Sequence, residues 1–375
     1  MPKRVLYVFD KATSGAGLAE VTKQQVLALS EAGCEIDLLA RSAVAAPGVR
    51  NLIWPLTPAN LVSWVSRRFY HRNRRAFFSW LGTRRLRRHG PYDALITWHK
   101  LAPNLIREAS AMRVPVLLNC GSLPKMPPPP PIPQESPSRE YLRSGAHVLS
   151  TSEFATRQFL QCGCDPRLVH PIERGFDPAR FRPAAPPPPE LPFRLLFCGR
   201  LTPRKGVLEL LRIWRDLAPP DAELWLAGAV PREHRADILR LLIPSAKLLG
   251  FRESVNETMR QCHAQILLSS NEGQAKSLLE GAACGLVTIA TPETGFPFHR
   301  AEMGFEVHAA RPDQVKNAIR SVISNPALRA RLAANSAHTM AQHYTWPAFR
   351  QRFITAFESV TAAPPPNLTV DPSGP

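Results

Sequence analysis

Short apolar runs alternate with helical patterns along most of the chain. In the first half, we predict strands near residues 3–9, 34–40, 92–98, 114–120 and 147–151, separated by amphipathic stretches such as a helix from Leu18 to Ala32. The second half repeats this scheme, with strands near 193–198, 222–227, 246–249, 264–269 and 286–291. Strands that alternate with helices are typical of parallel sheets. The pattern therefore predicts an α/β protein with two doubly wound, Rossmann-like domains.

Proline-rich stretches divide the chain. The stretch 183–192 falls between the two strand-helix series, so we predict a first domain at 1–183, a linker at 184–192 and a second domain at 193–345. A last helix at 346–361 is expected to precede a disordered tail, 362–375. The run Pro127 to Pro137 follows an apolar strand, and it either shapes an acceptor pocket or is a surface loop without a role.

The segment 271–285, NEGQAKSLLEGAACG, carries two glutamates eight residues apart. It follows an apolar run of strand length and has helix-forming residues that end at Gly285. Ligands of open α/β sheets bind where strand ends meet helix starts, and the amides of a first helical turn suit a phosphate. Glu272 is therefore predicted to lie beside a ligand, with Glu280 about two turns further along. Alternatively, Ser277 to Glu280 forms a capping box, in which Glu280 only satisfies a backbone amide.

A second strand-to-helix loop carries two cations. Residues 193–198 form a buried-type strand, and the following turn holds Gly199, Arg200, Lys205 and Gly206 before an amphipathic helix. Arginine offers a planar fork that matches phosphate oxygens, and lysine offers a mobile point charge. The pair suits a diphosphate whose charge grows as a bond to it breaks.

Positive charge is concentrated in the first half of the chain. The formal net charge is +17, and residues 1–180 hold 25 lysines and arginines against 13 acidic residues. Nine of these arginines lie from Arg67 to Arg88, interleaved with aromatic residues. Such a segment suits an anionic membrane surface. The alternatives are an ordinary solvated arginine face and nucleic-acid binding, which no recognised motif supports.

Length and cysteine content restrict the class of protein. A chain of 375 residues exceeds the usual size of a single core, so two domains are expected. No apolar run reaches the eighteen or so residues of a membrane helix, and the N-terminal residues lead directly into a strand. We expect a cytoplasmic protein, or one peripheral on the inner face of the cell membrane. Seven scattered cysteines suit a reducing compartment, and Cys162 with Cys164 lacks the partners of a zinc site.

Several motifs together resemble one family. They are GRLTPRKG at 199–206, Gly228 after the strand AELWLA, LLGF at 248–251, the glutamate pair with EGAACG, and the segment 325–346. Upstream lie the glycine loop Ser14 to Gly17 and PIERGFDPARFRP at 171–183. In order and spacing these resemble the retaining GT-B glycosyltransferases of family 4, the group 1 transferases.

The resemblance implies a site and a reaction. A nucleotide-diphosphate sugar would lie in the cleft between two domains, with Arg200 and Lys205 on the diphosphate and Glu272 on the sugar. Glu280 would hold the ribose hydroxyls. The remaining binding residues would be Gly15, Gly17, Gly199, Gly273, Gln274, Ala275, Lys276 and Ser277. The sugar would pass with retained configuration to a glycan or lipid-linked acceptor, without a metal or other cofactor; the chain has no Asp-x-Asp motif.

The chain also departs from the family pattern. Where many relatives carry histidine and glycine close to the donor sugar, it has Cys120 and Gly121, and His99 ends the neighbouring predicted strand. These three residues are candidates for an acceptor or sugar pocket. Gln274, Ala275 and Lys276 replace the usual aromatic-glycine pair after the first glutamate, which suggests a different sugar. A catalytically inactive GT-B-like partner protein at the membrane is the alternative function.

Overall fold

The computed structural model describes residues 1–11, 13, 17–52, 59–98, 103–121, 145–184 and 192–362, with the side chains of the second helix described from Arg74 onward. The helices are α1 (Leu18–Glu31), α2 (Ala59–His89), α3 (Pro103–Ala111), α4 (Glu153–Gln161), α5 (Val207–Leu217), α6 (Arg235–Leu241), α7 (Val255–Arg260), α8 (Lys276–Ala283), α9 (Pro312–Ser324), α10 (Pro326–His343) and α11 (Trp346–Ala362). The strands are β1 (Arg4–Val8), β2 (Glu35–Leu39), β3 (Val49–Asn51), β4 (Ala94–Trp98), β5 (Val116–Cys120), β6 (His147–Ser150), β7 (Val169–Pro171), β8 (Phe193–Cys198), β9 (Ala222–Ala227), β10 (Ala246–Gly250), β11 (Ala264–Leu267), β12 (Val287–Ala290) and β13 (Gly304–Glu306).

Two parallel sheets organise the protein. The first has seven strands in the order β3-β2-β1-β4-β5-β6-β7, and the second has six in the order β10-β9-β8-β11-β12-β13. Every pairing between these strands is parallel. In both sheets the strand order reverses beside the first strand of the series, at β1 and at β8. The doubly wound α/β fold predicted from the sequence is confirmed.

The chain divides into two compact units. Unit 1 contains residues 1–150, 156–172 and 350–375, and unit 2 contains residues 151–155 and 173–349. Residues 173–183, which the sequence analysis assigned to the first domain, therefore belong to unit 2 by their contacts. Residues 185–191 of the predicted linker 184–192, the run Pro127 to Pro137, and residues 363–375 of the predicted tail 362–375 lie outside the described residues.

Residues 173–176 are fastened to the segment that precedes α11. The Tyr344 hydroxyl donates to the Glu173 carboxylate at 2.8 Å, and Arg300 Nη2 donates to the same carboxylate at 2.6 Å. A parallel bridge joins Phe176 to Thr345. Glu173 and Tyr344 are both buried, and these contacts explain why the chain joins unit 2 before the proline-rich stretch.

Each unit has its own apolar core. In unit 1 the strands β1, β4 and β5 are buried on both faces, as expected for central strands of a parallel sheet covered by helices. In unit 2 the core includes Phe197, Trp214 and Ile266, all fully buried. Among the described residues, no helix combines the length and the apolarity needed to cross a bilayer.

Candidate functional site

The candidate site of unit 2 lies at the carboxyl ends of β8 and β11. These two strands are neighbours, and the chain leaves β8 toward β9 on the other side, so the strand order reverses between them. Crevices of this kind are the usual ligand sites of open α/β sheets. The loop 199–206 leads from β8 into α5, and the loop 268–275 leads from β11 into α8.

Glu272 is the centre of a compact ion cluster. Its Oε1 atom lies 2.8 Å from Lys205 Nζ and 2.6 Å from Arg204 Nη1, and it accepts a hydrogen bond from Ser269 Oγ at 3.1 Å. The side chains of Glu272 and Lys205 are 15% and 13% exposed, whereas Arg204 is 51% exposed. The Glu272–Lys205 pair is therefore the sheltered part of the cluster.

The cluster controls the charge of Glu272. Burial alone would raise the pKa of this carboxyl, but the charge of Lys205, its hydrogen bond and the charge of Arg204 hold the pKa below its usual value. Glu272 is consequently a carboxylate at neutral pH. A fixed carboxylate is a suitable acceptor for the hydroxyls of a sugar.

The start of α8 presents free backbone amides. Ala275 N–H donates to Thr294 O and Glu272 N–H to Glu293 O, both at 2.8 Å. Within the described residues, the amides of Gly273, Gln274, Lys276 and Ser277 donate to no atom. Free amides at a helix start form a ready anion site.

The capping-box alternative is wrong. α8 begins at Lys276, its N-cap residue is Ala275, and no side chain caps it. Ser277 instead donates to the Cys198 carbonyl at 3.0 Å, which joins α8 to the end of β8. Glu280 is therefore not used to satisfy the helix start.

Glu280 pairs with Lys276 one turn earlier. The Nζ–Oε1 distance is 2.8 Å, and the Glu280 side chain is 11% exposed. Burial raises the pKa of Glu280, and the charge of Lys276 only partly offsets this. The Lys276 ammonium also lies 5.7 Å from the centre of the Trp346 ring. The Lys276 ammonium, at the start of the helix, thus interacts with both a carboxylate and an aromatic ring.

Close backbone approaches require glycine in the loop 199–206. Gly206 has φ +74°, and a Cβ atom there would lie 2.3 Å from the Leu268 carbonyl oxygen. A Cβ atom on Gly228 would lie 1.9 Å from the Gly199 carbonyl oxygen. The amide of Ser270 donates to Arg204 O at 2.9 Å. These contacts hold the loops after β8, β9 and β11 together.

The two predicted cations, Lys205 and Arg200, have different surroundings in the structure. Lys205 contacts Glu272, and its Cε atom approaches Gly199, where a Cβ atom would lie 3.8 Å away. Arg200 is exposed and makes no ion pair or hydrogen bond with a described residue. Sequence reasoning missed Arg204, which lies next to Lys205, because a residue pattern does not reveal which loop cation turns toward the carboxylate.

Unit 1 holds the other predicted site residues. Gly17 has φ +73° and precedes α1, and Cys120 is buried at the end of β5 with Gly121 half-buried beside it. Next to Cys120, Asn119 exchanges hydrogen bonds with Gln25, whose amide oxygen accepts from the Tyr7 hydroxyl. Gly15 and His99 lie outside the described residues.

The described part of the basic segment is a helix with two kinds of arginine. Arg74 pairs with buried Asp10 at 3.0 Å, and Arg85 pairs with buried Asp37 at 2.9 Å. Four others are exposed: Arg75, Arg84, Arg87 and Arg88. Trp80 is 53% exposed, and the Arg84 guanidinium lies 5.5 Å from its ring centre. Exposed Arg87 is also paired, with Glu108 at 2.6 Å, so Arg75, Arg84 and Arg88 are the described arginines of this helix that are exposed and make no ion pair with a described residue.

Two parallel-sheet domains, with loops for an anionic ligand at the carboxyl ends of the second sheet, define the GT-B class of architecture. Solved structures agree. Sucrose-phosphate synthase from Thermosynechococcus elongatus matches with a TM-score of 0.76 and 17% identity, over 96% of this chain and 100% of that chain. The Anabaena protein HepE, solved in complex with UDP and glucose, matches with a TM-score of 0.65 and 17% identity, over 95% and 100%. At this identity the likeness shows the fold.

Family models match both halves of the chain. The model described as Glycosyltransferase Family 4 matches residues 15–180, and the model described as Glycosyl transferases group 1 matches residues 192–325. The chain belongs to the family 4, or group 1, glycosyltransferases. A curated relative, D-inositol 3-phosphate glycosyltransferase of Streptomyces bingchenggensis, is 25% identical over 228 residues, which are 53% of this chain and 49% of the relative. The chain spans about half the length of the curated relatives it matches.

Proposed function

We propose that the protein is a glycosyltransferase that takes a sugar from a nucleotide-diphosphate donor and transfers it to a hydroxyl group. The observation that carries this proposal is the Glu272–Lys205–Arg204 cluster beside the free amides of α8, at the reversal of strand order in unit 2. Cations and amides suit a diphosphate, and a carboxylate suits a sugar. Family membership and the UDP complex of the Anabaena relative support this class of donor.

In this proposal the diphosphate binds to positive charge. Lys205 and the free amides of Gly273, Gln274, Lys276 and Ser277 contact it, and Arg204 and Arg200 add charge from the exposed side of the loop. As the bond to the sugar breaks, the diphosphate becomes more negative, and fixed cations stabilise it more strongly than the ground state. These side chains supply the charge that a divalent metal ion supplies in other transferases, so the proposed reaction is metal-independent.

The two glutamates have separate roles. Glu280, which is buried in α8, accepts hydrogen bonds from the ribose hydroxyls. Glu272 accepts hydrogen bonds from the sugar and keeps it oriented while the acceptor attacks from the face that the diphosphate leaves, which retains the configuration. By the family resemblance, Gly15 and Gly17 are proposed to bind the donor, and His99, Cys120 and Gly121 are proposed for the acceptor or sugar pocket.

The acceptor is proposed to be a glycan or a lipid-linked sugar at an anionic membrane. Exposed Trp80 with Arg84 and Arg88 supports this, because aromatic and basic side chains together favour the surface of such a membrane. Products of this kind belong to cell-surface polysaccharide or glycolipid synthesis.

A donor panel tests the proposal. The purified protein is heated with UDP, GDP, ADP and CMP sugars, since a ligand of the folded state at a hundredfold excess over Kd stabilises it by about 2.7 kcal/mol. We expect one nucleotide class to raise Tm, and the Lys205→Met variant to lose that shift. If a folded wild-type protein responds to none of them, the proposal fails, and the inactive partner protein suggested by Cys120 takes its place.

A further inference from the structure

Arg174 lies beneath the Glu272 loop and contacts it twice. Its backbone amide donates to Gln274 Oε1 at 2.6 Å, and its Nη1 atom donates to the Gln274 carbonyl at 3.2 Å. Arg174 Nε and Gln274 Nε2 are buried and have no hydrogen-bond partner. Gln274 itself is 1% exposed. A half-buried arginine and a buried glutamine thus meet at the loop that carries Glu272.

These contacts fix the orientation of the loop peptides. The Gln274–Ala275 peptide is held at both ends, because its carbonyl accepts from Arg174 and its N–H donates to Thr294. The preceding peptide is held by Ser152 Oγ, which donates to Gly273 O at 2.5 Å. In a trans peptide the carbonyl and the N–H point in opposite directions, so the Gln274 N–H is turned away from Ser152. The free amides are therefore oriented before any ligand arrives.

Arg174 also changes the charge balance of the site. The two loops and the helix start, taken with Arg174, carry five cations against the carboxylates Glu272 and Glu280: Arg174, Arg200, Arg204, Lys205 and Lys276. Arg204, Lys205 and Lys276 each pair with a carboxylate within 4 Å. Among the described residues, Arg174 and the exposed Arg200 pair with none, and Arg174 is the less exposed of the two. Three positive charges remain in excess, which suits a ligand with two or more negative charges. Burial lowers the pKa of Arg174, and the charge of Glu272 acts against this shift.

We infer that Arg174 is a positioning residue for the donor diphosphate: it orients the Glu272–Ala275 loop through Gln274 and supplies a sheltered positive charge, unpaired among the described residues, that the diphosphate neutralises. This inference rests on the proposed function. Arg174 lies outside the loops 199–206 and 268–275, and it acts on the second loop through Gln274.

Inorganic diphosphate is the probe, because it lacks both base and sugar. Its affinity is measured by titration calorimetry for the wild type, Arg174→Gln and Arg174→Lys. Glutamine keeps an amide donor but loses the charge, and lysine keeps the charge. We expect R174Q to bind diphosphate about tenfold more weakly and with a shallower dependence on salt, because fewer charges are then screened. R174K should stay within threefold of the wild type. A role in packing alone would not produce this salt response or the rescue by lysine.

Arg329→Gln is the matched control. Arg329 is also half-buried, also donates to backbone carbonyls, at 2.8 Å to Val322 O and 3.3 Å to Ile323 O, and its pKa is also lowered by burial. Its guanidinium lies over Phe193, at the opposite end of β8 from Gly199. R329Q should bind diphosphate like the wild type. Folding is checked for each variant by denaturant unfolding, and Arg174→Met replaces R174Q if the latter does not fold.

The outcomes separate the inference from the proposed function. Loss of binding in Lys205→Met with unchanged binding in R174Q overturns the inference alone. Equal losses in R174Q and R329Q, or in R174Q and R174K, also overturn it. A wild type that does not bind diphosphate, or a K205M variant that binds it normally, contradicts the proposed donor site itself.

Discussion

At the scale of single residues, the charge state of Glu272 depends on its neighbours. A carboxylate that is 15% exposed would pay a large desolvation cost alone, and Lys205 and Arg204 offset that cost. The same cations are proposed to receive the diphosphate. A ligand therefore enters a site in which one carboxylate and two cations already hold each other in place.

Replacing Glu272 with glutamine should slow sugar transfer at least tenfold, which corresponds to a loss of about 1.4 kcal/mol of transition-state stabilisation. The amide keeps the shape but removes the charge that orients the sugar and holds Lys205. Initial rates with the donor identified by the panel measure this effect. Glu223→Gln is the control, because Glu223 is 17% exposed, also pairs with a lysine and an arginine, and lies on β9 away from the loops. A rate for E272Q within threefold of the wild type would show that Glu272 has no role in the site.

A second residue-scale feature is a histidine pair in unit 1. His147 Nδ1 lies 2.9 Å from His170 Nε2. Burial, with a smaller effect of His170, lowers the pKa of His147 to about 4. The unfolded chain, in which histidine titrates near its ordinary pKa of about 6.5, binds this proton more readily. The native protein therefore loses stability as the pH falls from about 6.5 to about 4.

The His147→Gln variant should show a shallower decline of the unfolding free energy over this pH range. Urea unfolding at several pH values measures it. Burial also lowers the pKa of His263 to about 4, so part of the decline should remain. His338→Gln, on the exposed side of α10, is the control and should keep the wild-type slope. Identical slopes for H147Q and the wild type would show that His147 does not cause the decline of the unfolding free energy.

At the scale of elements, the buried strands were predictable and the edges were not. Strands such as β4 and β5 are mostly apolar and fully buried, and their predicted positions are confirmed within two residues. The three-residue edge strands β3, β7 and β13 are only partly buried, so no apolar pattern marks them. The position of Arg174 under the loop was also hidden, because it depends on contacts between residues a hundred positions apart.

The junction between the turn 203–205 and α5 gives an element-scale prediction. Gly206→Ala should destabilise the protein by about 3 kcal/mol or more, because it combines the left-handed backbone cost with a collision against Leu268 O. Gly33→Ala is matched, since Gly33 has the same φ of +74° with no atom within 4 Å of the new Cβ. It should cost only about 1 kcal/mol. Denaturant unfolding compares the two, and equal losses would show that the backbone angle alone matters.

At the scale of the whole molecule, positive charge is unevenly distributed. The half that contains α2 carries most of the net charge of +17. Within α2, Arg74 and Arg85 neutralise buried aspartates and Arg87 pairs with Glu108, so the arginines available to an anionic surface are Arg75, Arg84 and Arg88. Charge of this kind acts over about 8 Å at physiological ionic strength.

Changing Arg75, Arg84 and Arg88 together to glutamine should release the protein from phosphatidylserine vesicles at physiological salt. At roughly 1 kcal/mol for each basic residue, the loss should exceed tenfold. Co-sedimentation measures it, and added salt should weaken wild-type binding in the same way. A variant with three exposed arginines of unit 2 changed, Arg232, Arg235 and Arg252, has the same net charge and should still bind. Equal release of both variants would assign the effect to net charge alone.

The early entry of the chain into unit 2 has a consequence for exchanging parts between relatives. A chimera joined at the proline-rich stretch would take Glu173 and Arg174 from one parent and Tyr344 and Gln274 from the other. The hybrid would then contain the unit 2 of one parent without the Glu173 and Arg174 of that parent, which contact it. A junction between residues 172 and 173 keeps these partners together, although Ser152 still comes from the other parent. In the proposed function, donor preference in such hybrids would depend partly on sequence that precedes the proline-rich stretch.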